Sequence, residues 1–305
     1  MSISVNNVSK FYGRQKALDS VSFDIVAGEI VGFLGPNGAG KSTMMKIICG
    51  YLPQNKGEIK VCGLDVLENE LEVKSRLGYL PENNPLYQDM YVREYLSFTA
   101  GIYKLDEVED RVKEVIEKVG LGKEQNKKIG ELSKGYRQRV GLAQSFIHEP
   151  DVLILDEPTT GLDPNQIVEI RQLIQEIGRD KTVLLSTHIM QEVEAICDRA
   201  IIINEGQIVE DKKVGELKAM SGGEKKLDLT FARDIEEVVL IGHLGRESVQ
   251  TLSNRHFLID AGNMSETKIK IMQIALENKW EIHELKEGSS SLEDVFRQLT
   301  TSKEA

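Results

Sequence analysis

The run Gly35-Pro36-Asn37-Gly38-Ala39-Gly40-Lys41-Ser42 constrains the fold of this chain more than any other segment. It fits the pattern G-x-x-x-x-G-K-[ST] at every required position. Upstream, Glu29-Ile30-Val31-Gly32-Phe33-Leu34 is short and mostly apolar, as a buried strand is. Downstream, Ser42 to Cys49 reads as the first turns of a helix. Glycines allow the backbone to bend tightly and approach an anion with no Cβ in the way. The loop N–H groups and the helix N-terminus then offer partial positive charge to phosphate. The expectation is a nucleotide-phosphate site: Lys41 reaching the β- and γ-phosphates, the Ser42 hydroxyl on Mg²⁺, and Thr43 supporting the α-phosphate side.

Two further strands end in chemistry. Asp151-Val152-Leu153-Ile154-Leu155-Asp156-Glu157-Pro158 is an apolar run closed by two acids. Such a run belongs inside a parallel sheet, where ligands sit at the carboxyl ends of the strands. Asp156 is expected in the Mg²⁺ shell, and Glu157 is expected to polarise the water that attacks the γ-phosphate. Thr182-Val183-Leu184-Leu185-Ser186-Thr187-His188 is a third apolar strand, ending in a histidine placed to hydrogen-bond the γ-phosphate.

The segment Leu132-Ser133-Lys134-Gly135-Tyr136-Arg137-Gln138 completes the set. With it, residues 1 to about 215 resemble the ATP-binding subunits of ABC transporters, with every hallmark in order. The signature Leu132-Ser133-Lys134-Gly135-Tyr136 stands where that family commonly has LSGGQ. Gly161-Leu162-Asp163 matches its dimer-contacting loop, His188 its switch histidine, and Tyr12 the aromatic that stacks on adenine. The resemblance implies a P-loop NTPase α/β fold: a mixed central sheet with helices, an antiparallel β subdomain and a helical subdomain. It also implies ATP and Mg²⁺ as cofactors, and two copies facing head to tail as a homodimer. Each ATP would then be held by Tyr12 and Gly35 to Thr43 of one copy, and by Ser133, Gly135 and Gln138 of the other. Asp163 would link the two sites. ATP binding would close the dimer, and hydrolysis would open it.

Two positions depart from the family pattern. Lys134 replaces a glycine and Tyr136 a glutamine, while the hydroxyl of Ser133 and the bare N–H of Gly135 remain. Glu82, in Gly78-Tyr79-Leu80-Pro81-Glu82, replaces a glutamine that contacts Mg²⁺ and the attacking water; a carboxylate binds Mg²⁺ at least as well. The Leu-Pro-Glu variant and the single phosphate loop are similar to the drug, polysaccharide and gliding-motility export branch, and over the whole chain most similar to its gliding-motility-associated subunits. Export would then need a separate transmembrane permease subunit.

The 305 residues suffice for roughly two domains. Net charge is 38 − 49 = −11, which argues against nucleic acid as a partner and against adsorption on anionic lipid. No stretch approaches the roughly 20 apolar residues of a membrane span. Met1-Ser2-Ile3-Ser4-Val5 lacks a basic-then-apolar leader pattern. The expected location is the cytoplasm, peripheral on the inner membrane face through the permease. Cys49, Cys62 and Cys197 have no paired spacing and read as ordinary reduced thiols.

The expected organisation is an ATP-binding domain over 1–220, with a helical insert over about 87–145, and a small α+β extension over 224–305. Ile3, Val5 and Val8, then Val21, Phe23 and Ile25, alternate as antiparallel strands do. Val108, Val112, Val115, Ile116 and Val119 have helical spacing. Met220-Ser221-Gly222-Gly223 reads as the linker. Beyond it, Lys226 to Phe231, Val238 to Ile241, Phe257 to Ile259 and Trp280 to Leu285 are short apolar segments. Glu266 to Glu277 and Leu292 to Leu299 read as helices, the latter capped by Ser291. Asn83 to Glu94, with Pro85, Leu86, Tyr87, Met90 and Tyr91, either receives a helix of the membrane subunit or packs onto the helical insert. The rival function is a soluble ABC ATPase with a mechanical role in translation or DNA repair. One cassette, without coiled-coil or zinc inserts, disfavours it. A scaffold without turnover conflicts with the presence of both Glu157 and His188.

Overall fold

In the computed structural model, the period-two alternation of the first 25 residues becomes two long antiparallel strands, β1 (Ile3–Tyr12) and β2 (Gln15–Ile25). Their Ile3, Val5, Val8, Leu18, Val21, Phe23 and Ile25 side chains are buried. The structure describes residues 1–221 and 225–289, together with positions 293, 296, 299 and 300. Next come β3 (Ile30–Leu34), buried throughout, and α1 (Lys41–Ile48). β4 (Lys56–Val61) and β5 (Leu64–Asp65) extend the first sheet, in the order β2-β1-β4-β5. α2 (Glu70–Arg76) leads into β6 (Leu77–Leu80).

The helical insert holds α3 (Val92–Ile102), α4 (Val108–Lys118) and α5 (Lys134–Phe146). Val112, Val115, Ile116 and Val119 are buried at the expected helical spacing. The chain continues through β7 (Val152–Asp156), α6 (Pro164–Gly178), β8 (Thr182–Thr187), α7 (Met190–Ile196), β9 (Arg199–Asn204) and β10 (Gln207–Lys213). The central sheet runs β10-β9-β3-β8-β7-β6. Its strands are parallel from β9 to β6, and β10 is antiparallel to β9. β3, β7 and β8 are buried along their whole length, which is why they read as continuous apolar runs. Phe33, Met44, Met45, Ile47 and Ile48 fill the core shared by the two sheets. A fully buried side chain of this size contributes about 2–3 kcal/mol.

The insert is joined to the sheet by close packing. A Cβ at Gly78 of β6 would lie 1.8 Å from the Ser145 carbonyl oxygen of α5. Tyr103, the C-cap of α3, stacks on His148 with ring centroids 3.8 Å apart and planes 1° from parallel. His148 Nε2 is 3.2 Å from the Leu77 carbonyl oxygen, which makes it the N–H donor. Nδ1 is then bare, and it is buried with no hydrogen-bond partner among the described residues. Burial pushes this imidazole down to about 4.

The chain divides into two compact units, residues 1–214 and 215–305. Helix α8 (Val214–Ser221) spans the division. Of the expected linker, Met220 and Ser221 are helical, and Gly222 and Gly223 lie outside the described residues. The second unit contains β11 (Lys225–Phe231), α9 (Glu237–Leu244), β12 (Val249–Ser253), β13 (His256–Asp260), α10 (Met264–Glu277) and β14 (Ile282–Ser289). Its sheet is antiparallel, in the order β12-β13-β11-β14. Leu227, Leu229, Phe231, Leu240, Phe257, Ile259 and Ile271 form its own core, and Trp280 packs edge-on against Phe231. The apolar segment Val238 to Ile241 is part of helix α9, with Leu240 facing inward. Ser291 and most of Leu292 to Leu299 lie outside the described residues.

Candidate functional site

Four loops at one edge of the central sheet build the site. Gly35 to Gly40 connect β3 to α1, with Gly38 and Gly40 at φ of +82° and +108°. Those angles favour glycine. At Gly40 a Cβ would also lie 2.5 Å from the Ala17 carbonyl oxygen, and at Gly35 it would lie 2.4 Å from that of Ile203. Space and backbone conformation therefore both require the glycines that the motif specified. Ala39 is buried, whereas Asn37 and Gly38 are exposed.

Lys41 follows as the first residue of α1. Its Nζ donates to the Gly35 and Pro36 carbonyl oxygens at 2.8 and 3.2 Å, and lies 3.5 Å from Glu157 Oε1. Lys41 and Glu157 are both over nine-tenths buried. An ion pair held in so dry a place is costly unless other hydrogen bonds complete it, and here they do.

Glu157 follows β7 in the left-handed region at φ +50°, unusual for a residue with a side chain. Its backbone N–H donates to the carbonyl oxygen and the Oγ of Ser186 on β8, at 3.2 and 3.1 Å. Its carboxylate takes His188 Nδ1 at 2.9 Å and the Thr160 hydroxyl at 3.2 Å. Asp156, at the end of β7, accepts from Ser42 Oγ at 3.2 Å and from Ser186 Oγ at 2.5 Å. Strained backbone that persists at a reactive group is a frequent mark of a functional site.

A cleft of about 530 Å³ is lined by Tyr12, Asn37, Gly38, Gly40, Lys41, Ser42, Thr43, Glu82, Glu157 and His188, and Asp156 reaches it through its hydrogen bond with Ser42. Gln15, Ala17 and Thr160 line it too, and none of the three was expected. Thr160 carried a weak signal, a hydroxyl three residues after the acid. Gln15 and Ala17 carried none, because the antiparallel sheet brings them there. Tyr12 is half exposed at the rim, with Lys10 Nζ 5.6 Å from its ring centre. Ser42, Asp156 and Glu82 are hard oxygen donors, the type suited to Mg²⁺, which takes one or two carboxylates beside phosphate and water. Among the described residues, no group of three or more His, Cys, Asp or Glu side chains forms a metal cage.

The signature residues do not line this cleft. Ser133 caps α5, its Oγ accepting from Tyr136 N at 3.4 Å. Gly135 is buried against Gln166 of α6, so closely that a Cβ would lie 2.5 Å from its side chain. Gln138 donates to the Pro158 carbonyl oxygen of its own chain at 2.7 Å. Asp163 caps α6, accepting from Gln166 N at 3.0 Å. Gly135, Tyr136 and Asp163 share a second, separate cleft of about 510 Å³. The cysteines are free thiols, and burial raises all three above the ordinary range. No described helix is long and apolar enough to cross a membrane.

A family model described as ABC transporter matches residues 18–160. The bacitracin transport ATP-binding protein of Bacillus licheniformis is 33% identical over 303 residues, covering 97% of this chain and 96% of that protein. The linearmycin resistance ATP-binding protein of Bacillus subtilis is 32% identical over 306 residues, covering 98% of each. The solved structure of an ATP-binding subunit of an ABC transporter matches with a TM-score of 0.67 and 30% identity, over 73% of this chain and 94% of that one. A dimeric ATP-binding cassette in a post-hydrolysis state, bound to ADP and Pi, matches with a TM-score of 0.64 and 26% identity, over 70% and 98%. With the residues of the phosphate loop, Glu157 and His188 gathered in one cleft, the chain belongs to the ABC transporter ATP-binding proteins and is an ATP-hydrolysing subunit of such a transporter.

Proposed function

We propose that this chain powers export, working as a homodimer that closes on two ATP molecules and opens after hydrolysis. The observation that carries this reading is the separation of the two half-sites. Lys41, Ser42, Glu157 and His188 line one cleft, while Gly135 and Asp163 line another. A signature that is remote from its own nucleotide cleft fits a role in the cleft of a second copy. Ser133 and Gly135 then face phosphate across the interface from the start of α5. Gln138 is the weakest of the proposed trans ligands, since its amide is engaged with Pro158. ATP bound between the copies favours the closed state because it binds that state better than the open one.

Within each site, Tyr12 stacks on adenine, the amides of Gly35 to Gly40 cradle the phosphates, and Lys41 reaches the β- and γ-phosphates. Thr43 supports the α-phosphate side. Ser42, Asp156 and Glu82 hold Mg²⁺, whose charge neutralises phosphate oxygens when it is bound. Glu157 accepts the proton of the attacking water. His188, held by Glu157 at 2.9 Å, contacts the γ-phosphate. Asp163 couples the two sites. Most of the rate enhancement is positioning and charge stabilisation.

A separate membrane permease completes the machine and holds the chain at the inner, cytoplasmic face. Tyr87, Tyr91, Phe98 and Ile102 are exposed around α3 and make the proposed receiving surface. Tyr87 also packs on Tyr95 and Phe98, which supports the packing of Asn83 to Glu94 onto the helical insert. Relatives named for bacitracin transport and linearmycin resistance match over nearly the whole chain, which supports export of an antibiotic-like molecule. Gliding-motility machinery is the narrower alternative that the sequence resemblance suggests. The C-terminal unit is an accessory extension of the cassette.

The test is the oligomeric state of Glu157→Gln by light scattering, with and without MgATP. An ATP-dependent shift from monomer to dimer is expected. A persistent monomer that still binds ATP refutes the homodimer.

A further inference from the structure

Glu192 lies on α7 and does not line the nucleotide cleft, yet it is only 1% exposed. A carboxylate so buried is costly unless its oxygens are satisfied. They are satisfied by three separate pieces of the machinery. Oε2 accepts from Thr187 Oγ1 at 2.6 Å, and Oε1 accepts from Thr159 Oγ1. Arg171 Nη2 of α6 lies 3.9 Å from Oε1. Thr187 directly precedes His188, and its Oγ1 also accepts from Ile189 N at 3.0 Å, clasping the turn that presents the histidine. Thr159 lies two residues after Glu157, and its neighbour Thr160 bonds the Glu157 carboxylate. Arg171 stands two turns into the helix that Asp163 caps.

We infer that Glu192 is a positioning residue for ATP hydrolysis. One buried carboxylate sets the loop after Glu157, the loop of His188 and the helix of Asp163 relative to one another. The inference rests on the proposal that Glu157 and His188 act at the attacking water. The left-handed backbone of Glu157 persists only if its surroundings over-determine it, and the clasp at Thr159 is part of what does so. Nucleotide binding does not run through Glu192, because neither the phosphate loop nor Tyr12 touches it.

The test is steady-state ATP hydrolysis by the full chain carrying Glu192→Ala, Glu192→Gln or His188→Ala, and by the Glu192→Ala/His188→Ala double variant. Glu192→Ala is expected to lower kcat about 10–100-fold, the scale set by misplacing a reacting group by about 1 Å, with KM for ATP within about threefold. Glu192→Gln is expected to restore most of the rate, since a carboxamide still bonds both threonine hydroxyls. The double variant is expected to lose less than the product of the two single losses, because tether and histidine act partly as one unit. A kcat within about twofold of wild type in Glu192→Ala overturns the inference. So does a fall in kcat that comes with a matching rise in KM and adds to His188→Ala, which marks general damage. If Glu192→Ala does not fold, Thr159→Val decides: a lowered kcat supports the clasp, and an unchanged one overturns it. Wild-type turnover in both His188→Ala and Glu157→Gln refutes the underlying reading of the site instead, and this inference falls with it.

Discussion

Acid should weaken this protein at one buried ring. His148 donates from Nε2 to the Leu77 carbonyl oxygen and lies flat on Tyr103. A second proton would have to enter at Nδ1, which is buried without a partner among the described residues. Folding therefore lowers the imidazole from 6.5 to about 4. A depressed value in the folded state means that the unfolded chain takes up the proton first. The stability is thus fully present above about pH 6.5 and is lost as pH falls towards 4. Each tenfold in proton affinity is about 1.4 kcal/mol. Linkage from about pH 7.5 to about pH 5 gives a loss of about 2 kcal/mol, or about 1 kcal/mol after allowing for the ring's partial contact with solvent. The assay is urea unfolding of the full chain at those two pH values, for wild type and His148→Gln. Glutamine can keep the hydrogen bond to Leu77 and cannot titrate. The wild type should lose about 1–2 kcal/mol more than the variant over the interval. His148→Phe, which keeps the stack on Tyr103, should flatten the slope equally. Equal slopes in all three proteins would refute the assignment. A steeper slope in either variant would show that the ring stabilises the protein by charging, the reverse of the case made here.

Two further outcomes follow from packing and exposure. Gly78→Ala forces a methyl into the Ser145 carbonyl of α5 and should cost at least about 2–3 kcal/mol, read as a lower Tm; an unchanged Tm would mean that β6 and α5 separate freely. Tyr87→Ala combined with Phe98→Ser should leave ATP hydrolysis by the isolated chain within about twofold and weaken capture by the membrane subunit about tenfold or more; unaltered capture would remove this surface as the docking site.

What the sequence made legible was local. The phosphate loop needs its glycines within a few residues of one another, so the motif and its strand–turn–helix context sit in one stretch of chain. Asp156, Glu157 and His188 stood out because each ends a buried parallel strand, and such strands read as apolar runs. The half-exposed Tyr12 and the exposed Glu82 were legible only through the family pattern. The C-terminal unit was harder: Val238 to Ile241 is apolar over too few residues to reveal its period, and it belongs to α9. The Glu192 clasp was invisible for another reason. Thr159, Arg171, Thr187 and Glu192 meet only after two strands and two helices have packed, and Thr159 gives no sign of its partner 33 residues away. Gln138 is similar, its amide being claimed by a carbonyl 20 residues on.

The strand order carries a consequence of scale. In the sequence β3-β8-β7-β6, the phosphate loop, the histidine, the acid pair and Glu82 emerge from four neighbouring parallel strands. Adjacent strands lie about 4.8 Å apart, so the sheet works as a ruler with roughly 14 Å between its first and last marks. Hydrogen bonds between backbones fix the marks, and no side chain can move one without breaking a ladder. Substitutions at the marks therefore change which group stands at a given distance from the phosphates and leave the distance itself alone. Glu82 follows the end of β6 by two residues, so exchanging it for glutamine would change the charge delivered there and leave the strand it departs from in place.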